Sequence, residues 1–180
     1  MNEHRFDGFG SRPSVDAVLG RVHQHHVQLS ALADTKASLL ITISSIVLTI
    51  ALTRASDPIV RPAVFTLAGA ALLSLLLAIV AVLPTFAGGR DRRNLLFFGH
   101  FGPMSEEEFL DTMHKTMAND QILYETALRD IYSLGKYLYE KKYRFLRYAY
   151  VALLAGFILA TVVEVYVLAT NNQISPLAGG

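Results

Sequence analysis

The 180 residues contain no cysteine and no tryptophan. Without cysteine the chain forms no disulfide, offers no thiol nucleophile and builds no thiolate metal site. Without tryptophan, any aromatic belt at a membrane–water boundary has to be made of tyrosine and phenylalanine. Charge is scarce as well. Asp, Glu, Lys and Arg make up 17% of the residues and leave a formal net charge of +1, so bulk charge does not point to a nucleic-acid polymer as partner. What the chain has in abundance is apolar residues, 52% of the total with a mean hydropathy of +0.37, and these are gathered in blocks.

Three blocks are long enough to cross a bilayer, which takes about 17–25 apolar residues in a helix. They cover residues 37–53 (ASLLITISSIVLTIALT), 63–83 (AVFTLAGAALLSLLLAIVAVL) and 148–170 (YAYVALLAGFILATVVEVYVLAT). The first starts too far into the chain, and lacks the cleavage signature, to be a signal peptide. Lys and Arg accumulate on the cytoplasmic side of short membrane loops. Fourteen of the sixteen lie before residue 37 or between residues 84 and 147, and the other two are Arg54 and Arg61. The expected topology therefore has the N terminus and the 84–147 segment in the cytosol, and the 54–62 loop and the tail from 171 to 180 outside.

The expected fold is an all-α membrane protein with long cytoplasmic helical extensions of the first and third spans. After a flexible tail over residues 1–13, a helix is predicted over 14–36. Its capping residue is Ser14 and its recurring positions are Val15, Leu19, Val22, His26, Leu29 and Ala33, and it runs on into the first span. Residues 84–104 form a cytoplasmic loop. Ser105-Glu106-Glu107-Glu108 then reads as a capping box opening a second long helix over 105–147, which feeds the third span. The glutamates suit the positive end of that helix's dipole and call for no catalytic role. Parallel cytoplasmic helices of this kind can pair between protomers, so a homo-oligomer is expected.

Candidate sites each carry a plain reading beside a functional one. Asp34 and Lys36 sit at the mouth of the first span: they are either solvated and snorkelling residues or part of a polar cluster. Ser38, Thr42, Ser45, Thr49 and Thr53 share one face of that span. Thr66, Ala70, Ser74 and Ala78 repeat the pattern in the second, as do Ala152, Gly156, Ala160 and Glu164 in the third. Close helix packing is one reading and a polar path in an oligomer the other. Glu164, an acid within a span, either reaches the headgroups or has a function inside the membrane. His23, His25 and His26 lack a third ligand at matching spacing, so no metal site is expected. No catalytic grouping and no phosphate-cradling glycine loop occur, so the chain is expected not to be an enzyme and to carry no cofactor.

The remaining candidate is the stretch from Arg90 to Phe101, which contains NLLFFGHF. As an interfacial anchor, Phe97 and Phe98 dip into the headgroups while Arg90, Arg92 and Arg93 hold lipid phosphates. As a ligand pocket, the rings stack on a base while the arginines, Asn94 and His100 meet phosphate or base edges, with Gly99 inside the turn.

The combination of ADTKASLL before the first span, NLLFFGHF after the second and DIYSLGKYLYEKKYRFLRYAY before the third resembles the Pycsar transmembrane effector family over roughly residues 18–168. The resemblance implies a bacterial antiphage effector of the inner membrane. A partner cyclase would make cyclic CMP or cyclic UMP, and the effector would respond by impairing membrane integrity, so that growth stops. It also implies that Asp34, Lys36, Asn94, Phe97, Phe98, Gly99 and His100 are the residues to test. Two other functions fit the residues: a membrane-anchored helical scaffold that recruits a protein partner, and a small constitutive channel.

Overall fold

A computed structural model describes residues 12–83 and 95–174, with the side chains of Phe98 and of residues 172–174 left aside. All its regular elements are helical: α1 (Pro13–Arg54), α2 (Arg61–Val82), α3 (Phe98–Phe101), α4 (Glu106–Met117), α5 (Asp120–Tyr137), a π-helical turn (Leu138–Tyr143) and α6 (Arg144–Ile174). Three helical stretches, Pro13–Arg54, Arg61–Val82 and Asp120–Asn171, are long and apolar enough to cross a membrane. The chain divides into two compact units. One comprises residues 1–31 and 84–139, the other residues 32–83 and 140–180.

Helix α1 is unbroken, as the absence of an internal proline allows, but it begins earlier than the Ser14 cap predicted. The Arg12 carbonyl accepts from the amides of Val15 and Asp16, which puts Pro13 in the first helical position. There its missing N–H costs nothing and its fixed φ already suits the helix.

In the unit of residues 32–83 and 140–180, the core is made of small side chains. Ala33, Ala37, Leu40, Ala71, Ala78, Ala81, Leu146, Ala149 and Leu153 form one buried cluster. Such residues let helix backbones approach closely where lipid offers no hydrophobic driving force between helices. Helices α2 and α6 approach closely at Gly156, where an added Cβ would lie 2.2 Å from the Cβ of Ala70. The α1–α2 connection is tied by Arg61, whose guanidinium donates to the carbonyls of Ala55 and Ser56.

In the unit of residues 1–31 and 84–139, the single helix expected over 105–147 is interrupted. Helix α4 does start at the Ser105 cap, whose hydroxyl accepts from the Glu108 amide at 3.2 Å. It stops at Met117, and Asn119, in extended conformation, caps α5 by accepting from the amides of Gln121 and Ile122. The sequence signal is the Asn119-Asp120 pair within an otherwise periodic stretch: the short amide side chain competes for backbone donors and starts a new helix. Asn119→Ala is expected to cost about 1 kcal/mol, as loss of a helix cap does. Thermal unfolding of the purified protein measures it, and an unchanged midpoint would show that packing alone positions α5.

Candidate functional site

The charged residue that matters at the mouth of the first span is Asp34, and its partner is remote in sequence. Lys142, in the π-helical turn, donates to both Asp34 carboxylate oxygens at 2.6 and 2.7 Å. The lysine side chain is only 11% exposed and that of Asp34 45%. Lys142 is buried because it shares the inward positions of its helix with Leu146, Ala149 and Leu153. An ammonium there has to be neutralised in place. Lys36 is exposed, and the carboxylate of Asp34 takes Lys142 as its partner. The polar cluster exists, with a different lysine.

A second polar link crosses all three apolar helices. The Ser44 hydroxyl donates to Ser74 Oγ at 3.2 Å, and Ser74 donates to the Ala149 carbonyl at 2.8 Å. Both serines are fully buried. In an apolar medium each hydroxyl needs such a partner, and the chain Ser44–Ser74–Ala149 aligns the helices axially. Ser38, Thr42, Ser45 and Thr49, the hydroxyl face picked out in the sequence, are exposed and each donates to a carbonyl of its own helix. The packing serine is Ser44, beside the chosen one. It was legible in its spacing, since it continues the small-residue series Ala33, Ala37, Leu40. Glu164 is partly buried, and its Oε2 has no hydrogen-bond partner among the described residues.

The aromatic candidate stretch is described from Leu95 onward; Arg90, Arg92, Arg93 and Asn94 lie outside the described residues. The expected glycine turn is one turn of helix, α3, closed by His100 N–H donating to the Phe97 carbonyl at 2.9 Å. Phe97 and His100 meet edge to face with centroids 5.4 Å apart. Gly99 makes this possible, because a Cβ there would lie 2.5 Å from Phe97 Cε1. Phe101 packs on Phe109 of α4 at 5.1 Å, which fixes the turn to the start of that helix. The result is a compact aromatic platform with an imidazole at its edge. Rings of this kind stack on a base, and an imidazole can donate or accept a hydrogen bond. Phe98 contributes its backbone to α3.

In the same unit, α1 and α5 are joined by polar contacts that sequence spacing did not reveal. Tyr124 donates to Asp16 Oδ1 and accepts from the Arg12 amide. His23 Nδ1 lies 3.2 Å from Asp130 Oδ2, a carboxylate that is 7% exposed. Gly135 leaves room for the His26 ring, whose Cε1 is 3.3 Å from where a Cβ would stand. His23 and His26 therefore lie between α1 and α5, His25 is exposed, and no group of three metal-binding side chains occurs among the described residues.

These features define an all-helical membrane protein whose polar residues link its helices and whose sequence carries an aromatic turn between the second and third apolar spans. The model of the Pycsar effector protein domain matches residues 18–169, and the chain belongs to that family. No curated protein and no solved structure matches it. Membership makes the chain an antiphage defence effector with a membrane-helix architecture. It also implies that the signal is a cyclic nucleotide supplied by a partner cyclase.

Proposed function

We propose that this chain is a non-enzymatic, oligomeric effector of the bacterial inner membrane that binds cyclic CMP or cyclic UMP and answers by impairing membrane integrity. Its N terminus and the 84–147 segment lie in the cytosol and its C terminus outside. The observation that carries this reading is the family match over residues 18–169, which includes all three apolar spans and the aromatic turn between the second and third. The orientation is supported by the start of α6. Lys141, Arg144 and Arg147 are exposed there beside exposed Tyr148 and Tyr150, a basic and aromatic band suited to the cytoplasmic headgroup region.

The nucleotide is best matched by the α3 turn and the arginines that precede it. A pyrimidine stacks on Phe97 or Phe98, His100 meets a polar edge, and Arg90, Arg92 and Arg93 with Asn94 answer the cyclic phosphate. Binding can shift the protein's state only by the difference in affinity between its resting and active forms. Calorimetric titration of the detergent-purified protein with cyclic CMP, cyclic UMP and cyclic AMP tests the reading. Selective pyrimidine binding is expected; no binding of either pyrimidine nucleotide to folded protein would overturn it. Phe98→Ala, His100→Ala and the Arg92→Ala/Arg93→Ala pair are each expected to abolish both binding and toxicity, with unchanged accumulation in membranes. Toxicity at the parental level in all three would remove the turn from the mechanism.

A further inference from the structure

Helix α1 carries a second apolar stripe that is largely exposed among the described residues. Val18, Leu32, Leu39 and Ile46 are all more than half exposed. They belong to the series 18, 22, 25, 29, 32, 36, 39, 43, 46 and 50, in which steps of four and three alternate without a fault. That is a period of 3.5 over roughly 50 Å of helix at ~1.5 Å per residue. Every slot is apolar except His25 and Lys36. A straight α-helix drifts off such a repeat, and the repeat stays on one side only when the helix winds around a partner.

The burial pattern separates this stripe from the face used within the chain at every slot but Leu29, which is half-buried. Ala33, Ala37, Leu40 and Ser44 are buried, and none of them falls in the series. From Leu39 onward lipid could cover the exposed slots. Val18 and Val22 precede the apolar block that starts at Ala37 and stand 59% and 37% exposed. Lipid is not there to cover them.

We propose that this stripe is the seam along which α1 of a second copy packs, parallel and in register. Copies inserted in one membrane share one orientation, whichever side the N terminus occupies, so each slot is brought level with the same slot of its neighbour. A heptad seam is self-complementary under that arrangement, like facing like. A different protein would have to present the same repeat at the same height. A polar residue in a single core slot, here Lys36, specifies register at some cost in stability. On the flank away from the buried face, the hydroxyls of Thr42 and Thr49 are satisfied by their own helix, so a neighbour can approach without stranding a donor. The inference rests on membrane insertion and on neither the ligand nor the direction of insertion.

The absence of cysteine makes the test direct. Full-length single-cysteine variants Val18→Cys, Val22→Cys and Leu32→Cys probe the seam. Ala17→Cys, Gln24→Cys and Ala31→Cys probe exposed positions one heptad slot set away from it. Membranes containing each variant are oxidised with copper-phenanthroline and run on non-reducing gels. A species of twice the chain's mass is expected for the seam set, with its loss in the other set. Equal cross-linking in both sets, none in either, or an adduct to a protein of another mass would overturn the proposal. A failed nucleotide titration would leave it untouched.

Discussion

Gly156→Val is expected to prevent the protein from accumulating in membranes, and Gly156→Ala to destabilise it by about 1–3 kcal/mol, as overpacking of a tight core does. The position is buried, and even a single added carbon would lie 2.2 Å from Ala70 Cβ, well inside van der Waals contact. Neither partner can swing aside, because both Cβ atoms are fixed to helix backbones. Relief requires that α2 and α6 separate, and the Ser74–Ala149 hydrogen bond seven residues along α6 opposes that. The clash also names its own remedy. Ala70→Gly should restore the stability of Gly156→Ala while costing little in membranes by itself, and thermal unfolding of the four proteins forms the cycle. Strict additivity would mean that the two residues do not meet in the membrane.

The second large effect concerns Asp34 and Lys142, and it should be asymmetric. Removing one partner of a buried pair strands the other's charge. Lys142 is the buried member, whereas Asp34 is about half exposed and can hydrate when left alone. Asp34→Asn is therefore expected to cost roughly 1–3 kcal/mol, less than the full cost of breaking a wholly buried pair because solvent reaches one side. Lys142→Met should cost less, since its thioether chain fills the apolar slot and the remaining carboxylate faces water. The double variant Asp34→Asn/Lys142→Met should sit close to the single Lys142→Met. Unfolding midpoints measured in one detergent at one pH would show it. If Asp34→Asn is the milder of the two singles, the lysine is not desolvated as described.

The two sets of variants also separate stability from signalling. Gly156 and Lys142 act through helix packing, so their substitution should change accumulation and unfolding whether or not nucleotide is present. Phe98 and His100 belong to the 84–104 segment, and their substitution is expected to change the response while leaving accumulation intact. A variant that loses both cannot be assigned to the ligand.

Much of the architecture needed no coordinates. Blocks of 17 to 23 apolar residues can satisfy their backbone in lipid only as helices, so the three helices over 37–53, 63–83 and 148–170 were legible from length and composition. The Ser105 cap was legible too, because an N-cap is a local bond between a hydroxyl and an amide three residues on. The break at Asn119 lay in the same local chemistry, yet the seam of apolar residues on either side of it suggested continuity. Periodicity describes a face, and two helices in succession can carry one.

What only the tertiary structure decided was which of several similar residues meet. Ser44 and Ser45 are neighbours with the same chemistry, but about 100° around the helix separates them, and only Ser44 reaches Ser74. Lys36 and Lys142 are both lysines near the end of a span, and only Lys142 faces Asp34. Phe97 and His100 meet edge to face because Gly99 lacks a Cβ. Spans, caps and the small-residue faces follow from interactions within a turn or two of helix, and such short-range terms are written in the sequence. The partners of Asp34, Ser74 and Tyr124 lie 30 to 112 residues away. They are selected by the azimuth and axial height at which packed helices come to rest, which are properties of the assembled bundle.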